Sequence, residues 1–412
     1  MKPLPRRALV IGGSISGLFS ALYLQQRGWE VDVCERSPVP LTGRGAGIMT
    51  HPEMRRALAE LGLDTEREFG VPIEGRLVLD AAGQVVARRP CPQVATSWNR
   101  LFEMLSGAFG SAAYRLGSDL QCVSQSASQD AAGVTAQFAD GTSRSGDVLI
   151  GADGFRSAVR AELLPQAQPL YAGYVAWRGL LDEGAAVPVL TREVFDSLSF
   201  FLPPGEQFLG YPVAGAGNDL RPGHRSWNVV WYRPADETKD VPRLLTDETG
   251  HTHQLSIPPP LIARGVIAEM RDAAERLLPP QLRRVMRLVE QPFLQPIYDL
   301  ASEAMAFGRV ALVGDAAFVI RPHVGGGVVK AAEDAAALAA CLDAEPGIEA
   351  GLRAYEARRI GVGRQFIVQA RRLGCYLKHD FANEEERARA AFHAEPERVL
   401  AETAVLDFLR SS

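Results

Sequence analysis

The sequence lacks the marks of several protein classes. Its five cysteines are scattered, without a Cys-x-x-Cys pair or metal-like spacing, so we expect reduced thiols, no bound metal and no dithiol redox centre. The formal net charge is −5, which argues against nucleic acid and anionic membrane surfaces as partners. No apolar run has the length of a membrane span and no leader pattern is visible, so the expected location is the cytoplasm.

What the chain has is length and a balanced composition. Its 412 residues are too many for one ordinary core, which predicts two domains or one large elaborated one. Hydrophobic residues make up 47% and charged residues 23%, the balance of a globular protein. Without internal repeats or low-complexity tracts, the organisation has to be read from local patterns.

The first such pattern is a βαβ unit. Arg7–Gly12 is typical of a buried strand, Ser14–Arg27 has helical spacing, and Trp29–Glu35 is typical of a second strand. The turn between them reads GGSISG, and a dinucleotide-binding turn would have glycine where Ser14 stands. A serine is small, and its hydroxyl can donate to a phosphate oxygen beside the helix N-terminus. The unit therefore predicts a nucleotide site, with Glu35 placed to bind ribose hydroxyls.

Two later motifs also follow predicted strands. GADGFRSAVR, residues 151–160, comes after the apolar run DVLI and is, taken alone, no more than a turn. Further on, the run RVALVG ends at Gly314 and is followed by Asp315, whose carboxylate can accept hydrogen bonds from a polyol. A Pro/Gly loop then leads to a helix that begins near Gly325–Gly327 and can stabilise negative charge.

These three motifs, in this order and spacing, resemble the FAD-binding set of the class A flavoprotein aromatic hydroxylases, the para-hydroxybenzoate hydroxylase group. The resemblance spans residue 7 to about residue 375. It implies that Glu35 binds the adenosine ribose with Arg44 nearby, that Arg100 approaches the pyrophosphate, and that Asp315 binds the ribityl chain. Altogether it assigns FAD binding to Gly12, Gly13, Ser14, Ile15, Ser16, Gly17, Glu35, Arg36, Arg44, Gly45, Ala46, Gly47, Ile48, Arg100, Asp153, Gly154, Gly314, Asp315, Gly325, Gly326, Gly327 and Val328.

Within this family the chain is most similar to the branch that hydroxylates dihydroxypyridines. The resemblance is carried by GGSISG, YVAWRGLL, NVVWYRP, LLTDETGHTHQLSIPPPLI and GDAAFVIRPHVGGG. Ser14 then looks like this branch's version of the turn. The broader group usually has histidine where Phe318 stands and Gly-Gln-Gly where this chain has Gly325–Gly327, which predicts a pocket of different shape around the same cofactor.

The resemblance implies an α/β fold, α+β overall. It comprises a Rossmann-like FAD-binding domain, an inserted and mostly antiparallel β-sheet substrate domain, and a C-terminal helical region. The antiparallel sheet is predicted because the strand-like runs between Tyr171 and Pro234 alternate and are separated by turns. The predicted parts are 1–75, 101–170 and 296–375 for FAD, the hairpin 76–100 with 171–295 for substrate, and the C-terminal 376–412.

The implied activity is a single-component monooxygenation. NADH or NADPH reduces FAD, O2 reacts to give a flavin C4a-hydroperoxide, and a small electron-rich aromatic or N-heteroaromatic ring, a dihydroxypyridine first, is hydroxylated. One alternative is a tailoring hydroxylase of a larger phenolic natural product, and another is a non-catalytic flavin sensor. A flavin disulfide reductase would need a redox cysteine pair, and a flavin halogenase a GxWxxIP stretch; the sequence has neither.

Two side chains are candidates for the catalytic pocket. Tyr211, in the strand FLGYP, could hydrogen-bond a ring hydroxyl, and His323, in the loop RPHVGGG, should lie at the flavin's reactive edge. The alternatives are a half-buried sheet aromatic and a histidine that caps local backbone. We can place no arginine to bind a carboxylate, which favours a neutral ring. The run NEEERARAAFHAEPERVL predicts a solvated helix, with a homodimer contact as the alternative.

Overall fold

The computed structural model describes residues 6–43, 47–126 and 133–410. Its strands are β1 (Arg7–Ile11), β2 (Glu30–Cys34), β3 (Gly47–Met49), β4 (Val71–Leu79), β5 (Val85–Ser97), β6 (Tyr114–Arg115), β7 (Leu120–Ser126), β8 (Gly133–Phe138), β9 (Ser143–Gly146), β10 (Val148–Gly151), β11 (Leu170–Asp182), β12 (Leu198–Phe201), β13 (Gln207–Val213), β14 (Ser226–Pro234), β15 (Phe293–Ala301), β16 (Ala306–Phe307), β17 (Val310–Leu312) and β18 (Phe318–Val319).

Its helices are α1 (Ile15–Gln26), α2 (Pro52–Glu60), α3 (Trp98–Phe109), α4 (Ala158–Leu163), α5 (Glu183–Ala186), α6 (Arg192–Asp196), α7 (Asp240–Leu244), α8 (Arg264–Leu277), α9 (Pro280–Leu288), α10 (Gly327–Ala344), α11 (Ile348–Leu373), α12 (Glu384–His393) and α13 (Pro396–Glu402). Among the described residues, no helix is long and apolar enough to cross a membrane. Nor does this part of the chain group three or more His, Cys, Asp or Glu side chains where they could hold a metal ion.

The first sheet confirms the predicted Rossmann-like unit. Its order is β16-β17-β10-β1-β2-β6, and β1 pairs in parallel with both β2 and β10. The strands are continuous apolar runs because helices cover the sheet, and Leu9 and Val10 are almost completely buried. Helix α1 packs against α10, so the C-terminal third of the chain returns to the first βαβ unit. The carboxyl ends of four parallel strands therefore meet at one edge, where ligands bind in such folds.

The second sheet has the order β18-β15-β11-β14-β13-β12-β4-β5-β3 and confirms the predicted antiparallel sheet. Side chains alternate between its faces. On β11, Val175 and Trp177 join the core beneath α8 and α9, while Tyr174 and Ala176 belong to a different core on the opposite face. This second core includes residues of α12 and α13. Arg178 is four residues after Tyr174 on the same strand, so its side chain lies on the same face of the sheet as that of Tyr174.

The division into domains stays a prediction. The predicted boundaries at 75/76, 100/101 and 295/296 lie inside β4, α3 and β15, so each falls within a continuous element. The segment 235–260, predicted as a long loop, contains the short helix α7, because Asp236 accepts hydrogen bonds from the amides of Thr238 and Lys239. The C-terminal region is helical as predicted. Its role in a homodimer stays a prediction.

Candidate functional site

A cleft of about 400 Å³ opens at the carboxyl edge of the parallel sheet. Residues that follow four of the strands line it: Gly12 after β1, Glu35 after β2, Asp153 after β10, and Asp315 after β17. The first turn of α1 and the first turn of α10 border it. The three sequence motifs are therefore brought together in space, although more than 300 residues separate Gly12 from Asp315.

The GGSISG turn is shaped by close backbone contacts. Gly12 has φ +103°, and a Cβ built on it would lie 2.4 Å from the carbonyl oxygen of Ala152. A Cβ on Gly17 would lie 1.9 Å from the Gly12 carbonyl oxygen, and one on Gly13 would lie 2.2 Å from the hydroxyl of Tyr114. Side chains at Gly12 and Gly17 would collide with backbone atoms, which cannot move away cheaply, whereas one at Gly13 would meet the end of the Tyr114 side chain. Gly12 and Gly17 are therefore required by the turn itself.

Ser14 is the residue at which the turn departs from the usual glycine pattern. It is the N-cap of α1, but its side chain accepts no capping hydrogen bond. Within the described residues its hydroxyl has no protein partner, and the residue lines the cleft. Ile15 and Ser16 also line the cleft, and Ser16 is turned toward the Ala152 carbonyl at 3.4 Å. A free hydroxyl beside a helix N-terminus is suited to a phosphate group.

The Glu35 carboxylate is held rigidly at the cleft. It accepts hydrogen bonds from the amides of Gly13, at 2.8 Å, and Ser37, at 2.9 Å, and is almost completely buried. Each carboxylate oxygen can accept a second hydrogen bond, so the Glu35 side chain is held in place and can still bind a ligand. Arg36 is exposed and lines the same cleft. Ribose binding by Glu35 stays a prediction.

The carboxylates of Asp153 and Asp315 differ in what they contact. Asp153 accepts hydrogen bonds from the Ser157 hydroxyl and from the amides of Ala158 and Val159, so it caps the start of α4. Asp315 lies deep in the molecule, yet its side chain is exposed to the cleft. Burial raises the pKa of the Asp315 carboxyl, although nearby cations oppose that shift. Of the two, Asp315 is the one with a free carboxylate to offer a ligand.

Several predicted cofactor contacts are not placed by the structure. Arg44, Gly45 and Ala46 lie outside the described residues. Arg100 stands in the first turn of α3 and does not line the cleft, so its approach to a pyrophosphate stays a prediction. The structure instead adds Arg156, an exposed arginine of the GADGFRSAVR motif, to the cleft lining. Sequence reasoning had used only the Asp-Gly pair of that motif.

A second cavity, of about 230 Å³, adjoins the cleft. Gly327 and Val328, the first residues of α10, line both spaces, so the helix N-terminus stands at their junction. Its N-cap residue, Gly326, has no side chain with which to satisfy the first amides. Gly47 and Ile48 face the junction from β3. We call this second space the aromatic cavity; it is lined by Gly47, Ile48, Met49, Arg178, Leu198, Leu209, Tyr211, Val230, Tyr232, Pro322, His323, Gly325, Gly327, Val328, Thr403 and Ala404.

Tyr211 lies in the aromatic cavity on β13, beside Gly47. A Cβ on Gly47 would lie 2.8 Å from the Tyr211 hydroxyl, which explains the glycine there. Burial raises the pKa of Tyr211 to about 12 even though the Arg178 cation lowers it. Its hydroxyl has no hydrogen-bond partner among the described residues, and neither has that of Tyr232, on the adjacent strand β14. Both phenols are therefore protonated and available to a ligand.

His323 contacts the cavity from the Pro/Gly loop. Its Nε2 lies 2.8 Å from the Tyr174 hydroxyl, and its ring packs 4.4 Å from the Tyr232 ring centroid. Burial, reinforced by the Arg321 cation, lowers the pKa of His323 to about 3, so the imidazole is neutral. Its Nδ1 is buried without a partner in the described part of the chain. His323 is thus more than a backbone cap.

Arg178 is an arginine of the cavity lining that the sequence analysis could not place. It lines the aromatic cavity from β11, half-buried, with one terminal nitrogen donating to Gln295 Oε1 at 3.0 Å. Its Nε has no partner among the described residues. The alternation of YVAWRGLL places it on the face of Tyr174 rather than that of Trp177, a signal present in the sequence. What the sequence could not show is that this face borders the cavity.

Comparison with known proteins agrees with this geometry. Residues 7–123 match a family model described as FAD dependent oxidoreductase, and 296–370 match one described as FAD binding domain. Residues 171–299 match a third, described as FAD binding domain-like. Over 380 residues the chain is 33% identical to 2,6-dihydroxypyridine 3-monooxygenase of Paenarthrobacter nicotinovorans. The aligned residues cover 92% of this chain and 93% of that protein. The chain belongs to the FAD-dependent aromatic-ring monooxygenases.

Other relatives of this monooxygenase differ in substrate. It is 32% identical over 383 residues to 3-amino-4-hydroxybenzoate 2-monooxygenase of Streptomyces cremeus, covering 89% of this chain and 86% of that protein. Among solved structures, 2,6-dihydroxypyridine-3-hydroxylase from Arthrobacter nicotinovorans has a TM-score of 0.84 and 30% identity, covering 93% of this chain and 96% of that chain. The Klebsiella pneumoniae HpxO complex with FAD and uric acid has a TM-score of 0.72 and 25% identity, covering 97% and 93%.

The residues of the cleft fit FAD. The glycine turn brings the backbone close to where a pyrophosphate would lie, and the Ser14 hydroxyl beside it is free to donate. The open carboxylate of Asp315 suits a polyol, and the uncapped start of α10 suits an electron-rich ring edge. The cofactor is FAD. The role of each individual residue stays a prediction.

Proposed function

We propose that this monooxygenase hydroxylates one small, electron-rich, hydroxylated ring held in the aromatic cavity, and that 2,6-dihydroxypyridine is the first candidate. NADH or NADPH would supply the electrons and O2 the oxygen atom. The observation that carries the proposal is the cavity itself, which joins the FAD cleft at Gly327 and Val328 and is lined by two partnerless phenols and an arginine. The relative that acts on a dihydroxypyridine supports the choice of ring.

The volume of the aromatic cavity favours a single ring. At about 230 Å³ it is smaller than pockets for drug-sized ligands, which begin near roughly 300 Å³. An apolar cavity of about 150 Å³ holds benzene, so one substituted ring fits here with little space to spare. A large phenolic natural product would not fit without movement of the walls. The size therefore argues for the small-ring alternative over the tailoring hydroxylase.

The polar side chains of the cavity explain how a hydroxylated ring would be held. Tyr211 and Tyr232 stay protonated, so each can donate a hydrogen bond to a ring oxygen. The Arg178 cation would stabilise a ring hydroxyl in its deprotonated form, which is the more electron-rich one. A ring activated in this way is a better target for an electrophilic oxygen. The cationic wall thus serves both binding and activation.

His323 would present a fixed donor. The Arg321 guanidinium lies 5.8 Å from the centroid of the Tyr174 ring and donates to Asp299. With the Tyr174 hydroxyl as donor to His323 Nε2, the His323 proton would stand on Nδ1. A neutral Nδ1–H would hydrogen-bond a ring oxygen without taking its proton, once the bound ring displaces the side chains that cover Nδ1. We therefore assign His323 to orienting the ring.

Bound FAD would supply electron transfer from the nicotinamide and activation of O2, with Gly327 and Val328 among the residues that would hold it. The chain's own contribution there is exclusion of water. Leu198, Leu209 and Val230 give the cavity an apolar sheet wall, and the rings of Tyr232 and His323, which pack against each other, close another side. A dry site limits wasteful release of hydrogen peroxide.

Arg178 also favours a second candidate, an amino- or hydroxy-substituted benzoate. A guanidinium can bind a carboxylate through two parallel hydrogen bonds, and the relative from Streptomyces cremeus acts on such a compound. A benzoate would place a carboxylate beside Arg178, whereas a dihydroxypyridine would place a ring hydroxyl there. They are therefore separable by experiment.

The test is a panel of 2,6-dihydroxypyridine, 3-amino-4-hydroxybenzoate, urate and a bicyclic phenol, given to the FAD-loaded protein with NADH or NADPH under labelled O2. We expect one single-ring compound to stimulate nicotinamide oxidation and to gain one labelled oxygen by mass spectrometry. Hydroxylation of only urate or the bicyclic phenol, both of which have two fused rings, would contradict the proposal. Peroxide formation without any oxygenated product from the panel would also contradict it.

A further inference from the structure

One wall of the aromatic cavity comes from the C-terminal end of the chain. Thr403 and Ala404, directly after α13, line the cavity. Ala404 also lines an open groove of about 770 Å³ on the outside of the molecule. Ala404 is therefore a partition between the cavity and the outer groove. It holds an unusual conformation, with φ +50°, which a non-glycine residue keeps only when its surroundings impose it.

The segment is held in place by a buried arginine. Arg76, on β4, is only 2% exposed. One of its terminal nitrogens donates to the carbonyl oxygens of Leu400, at 2.9 Å, and Thr403, at 2.5 Å. The other donates to Ala404 O at 3.3 Å and to the side-chain oxygen of Gln93 at 2.6 Å. Four oxygens thus surround one guanidinium: two belong to the wall residues Thr403 and Ala404, one to Leu400 in α13 and one to the Gln93 side chain.

In the described part of the chain, the hydrogen-bond partners of this arginine are three backbone carbonyls and one side-chain amide, and none is a carboxylate. Its charge faces the last carbonyls of α13, where the helix dipole is negative. A buried cation without an acid is costly, so its backbone partners cannot be released cheaply. The position of Leu400, Thr403 and Ala404 is therefore tightly coupled to Arg76.

The wall also contacts the loop that carries His323. The Ala404 amide donates to the carbonyl oxygen of His323 at 2.8 Å. A Cβ on Gly325 would lie 2.7 Å from the Ala404 Cβ, so the loop and the wall pack closely. On the groove side, His51 Nε2 lies 3.1 Å from the Gly325 carbonyl oxygen. The wall therefore lies between Arg76 and the loop that carries His323.

We propose that Arg76 is a positioning residue that fixes Thr403 and Ala404 as the closing wall of the cavity and so restricts the substrate to one ring. The proposal rests on the proposed assignment of the aromatic cavity to the substrate. Without the guanidinium, the carbonyls of Leu400 and Thr403 lose this donor, the Ala404 carbonyl keeps only the bond from Gln93 Nε2, and the partition at Ala404 loosens. The cavity then opens toward the outer groove, which admits water and a second ring.

The test compares Arg76→Met and Arg76→Lys with Arg89→Met. Arg89 is the cross-strand neighbour of Arg76 on β5, but it is exposed and has no hydrogen bond or ion pair in the described residues, so it is a matched control. In Arg76→Met we expect KM for 2,6-dihydroxypyridine to rise about tenfold, with kcat changed less and FAD content unchanged. The ratio of kcat/KM for a dihydroxyquinoline over the single ring should rise, and Arg76→Lys should recover part of the loss.

A second measurement does not depend on the substrate. Hydrogen exchange at the Ala404 amide should be faster in Arg76→Met than in the parent and unchanged in Arg89→Met. Unchanged exchange together with unchanged ring selectivity would overturn the proposal. If no ring in the panel is turned over by the parent, the proposed function fails, while the exchange result still decides whether Arg76 holds the wall.

Ala404→Gly is a second variant that tests the wall even if Arg76→Met does not fold. Glycine adopts φ +50° without strain and removes only the methyl group of the partition, so stability should not fall. We expect this variant to accept the dihydroxyquinoline better than the parent does. A folded Ala404→Gly with the parent's ring selectivity would contradict the role of this residue as a partition.

Discussion

The FAD cleft and the aromatic cavity are built in different ways. The cleft is made largely of backbone: glycine turns, strand ends and helix N-termini, each within a short continuous stretch such as residues 12–17. The cavity is made of side chains that β3, β11, β12, β13 and β14 bring together, closed by the loop of His323 and by Thr403 and Ala404. A backbone site tolerates few substitutions at its turns, whereas a side-chain site can change specificity one residue at a time.

The largest effect should come from adding a side chain to the cleft's first turn. In Gly12→Ala, both the φ of +103° and the contact with the Ala152 carbonyl oppose the new methyl group, so we expect a loss of more than about 3 kcal/mol in stability and loss of bound FAD. Gly28→Ala is the control, because its φ is +77° but a Cβ there meets no atom within 4 Å. It should cost about 1 kcal/mol and keep FAD.

Urea unfolding and the ratio of flavin to protein absorbance measure both changes. If Gly12→Ala retains FAD as well as Gly28→Ala does, the backbone contacts of this turn are not what the cofactor requires. The cleft would then resemble the cavity more closely than we argue.

The next effect should come from the cavity's cation. Arg178→Met should lower kcat/KM by roughly 10- to 100-fold, the range expected for losing a hydrogen bond to a charged group, and should leave FAD affinity unchanged. Arg178→Lys should lose less because it keeps the charge. A larger loss for a benzoate than for 2,6-dihydroxypyridine would favour the carboxylate candidate. Equal kcat/KM for parent and Arg178→Met would remove Arg178 from the site.

A stability effect of intermediate size should follow from His323. Because burial lowers its pKa to about 3, the unfolded chain, with a pKa of 6.5, takes up a proton below that pH while the folded chain does not. The stabilisation is therefore present above pH 6.5 and is lost as the pH falls toward 3. Between pH 7 and pH 5 the parent should lose about 2 kcal/mol from this group. His323→Gln should lack that part of the pH dependence in urea unfolding, and identical slopes for both proteins would contradict a buried neutral imidazole.

The smallest effect should come from the turn's unusual residue. Ser14→Gly removes a hydroxyl that no described residue uses, so we expect FAD affinity within about threefold of the parent by fluorescence quenching. Glu35→Ala is the contrasting variant, since it removes a carboxylate that also holds the Gly13 amide, and it should weaken FAD binding clearly more. Equal affinities for the parent and Glu35→Ala would separate Glu35 from the adenosine end of the cofactor.

The same contrast explains what the sequence could predict. The βαβ unit, the antiparallel sheet, the start of α10 and the strand-end carboxylates were predictable, because each depends on a local pattern of apolar spacing, glycine or turn residues. Arg178 and the wall at Thr403 and Ala404 were not, since their positions depend on the pairing order of the nine-stranded sheet and on where the C-terminal helices pack. A local pattern does not specify either one.

The most direct test of the account is a crystal structure of the FAD-loaded protein with 2,6-dihydroxypyridine bound. We predict that the ring lies in the aromatic cavity, with its oxygens within hydrogen-bond distance of Arg178 and Tyr211, and that the flavin lies at Gly327 and Val328. A ring bound in the outer groove beyond Ala404, or a flavin that does not reach the junction of the two spaces, would contradict it.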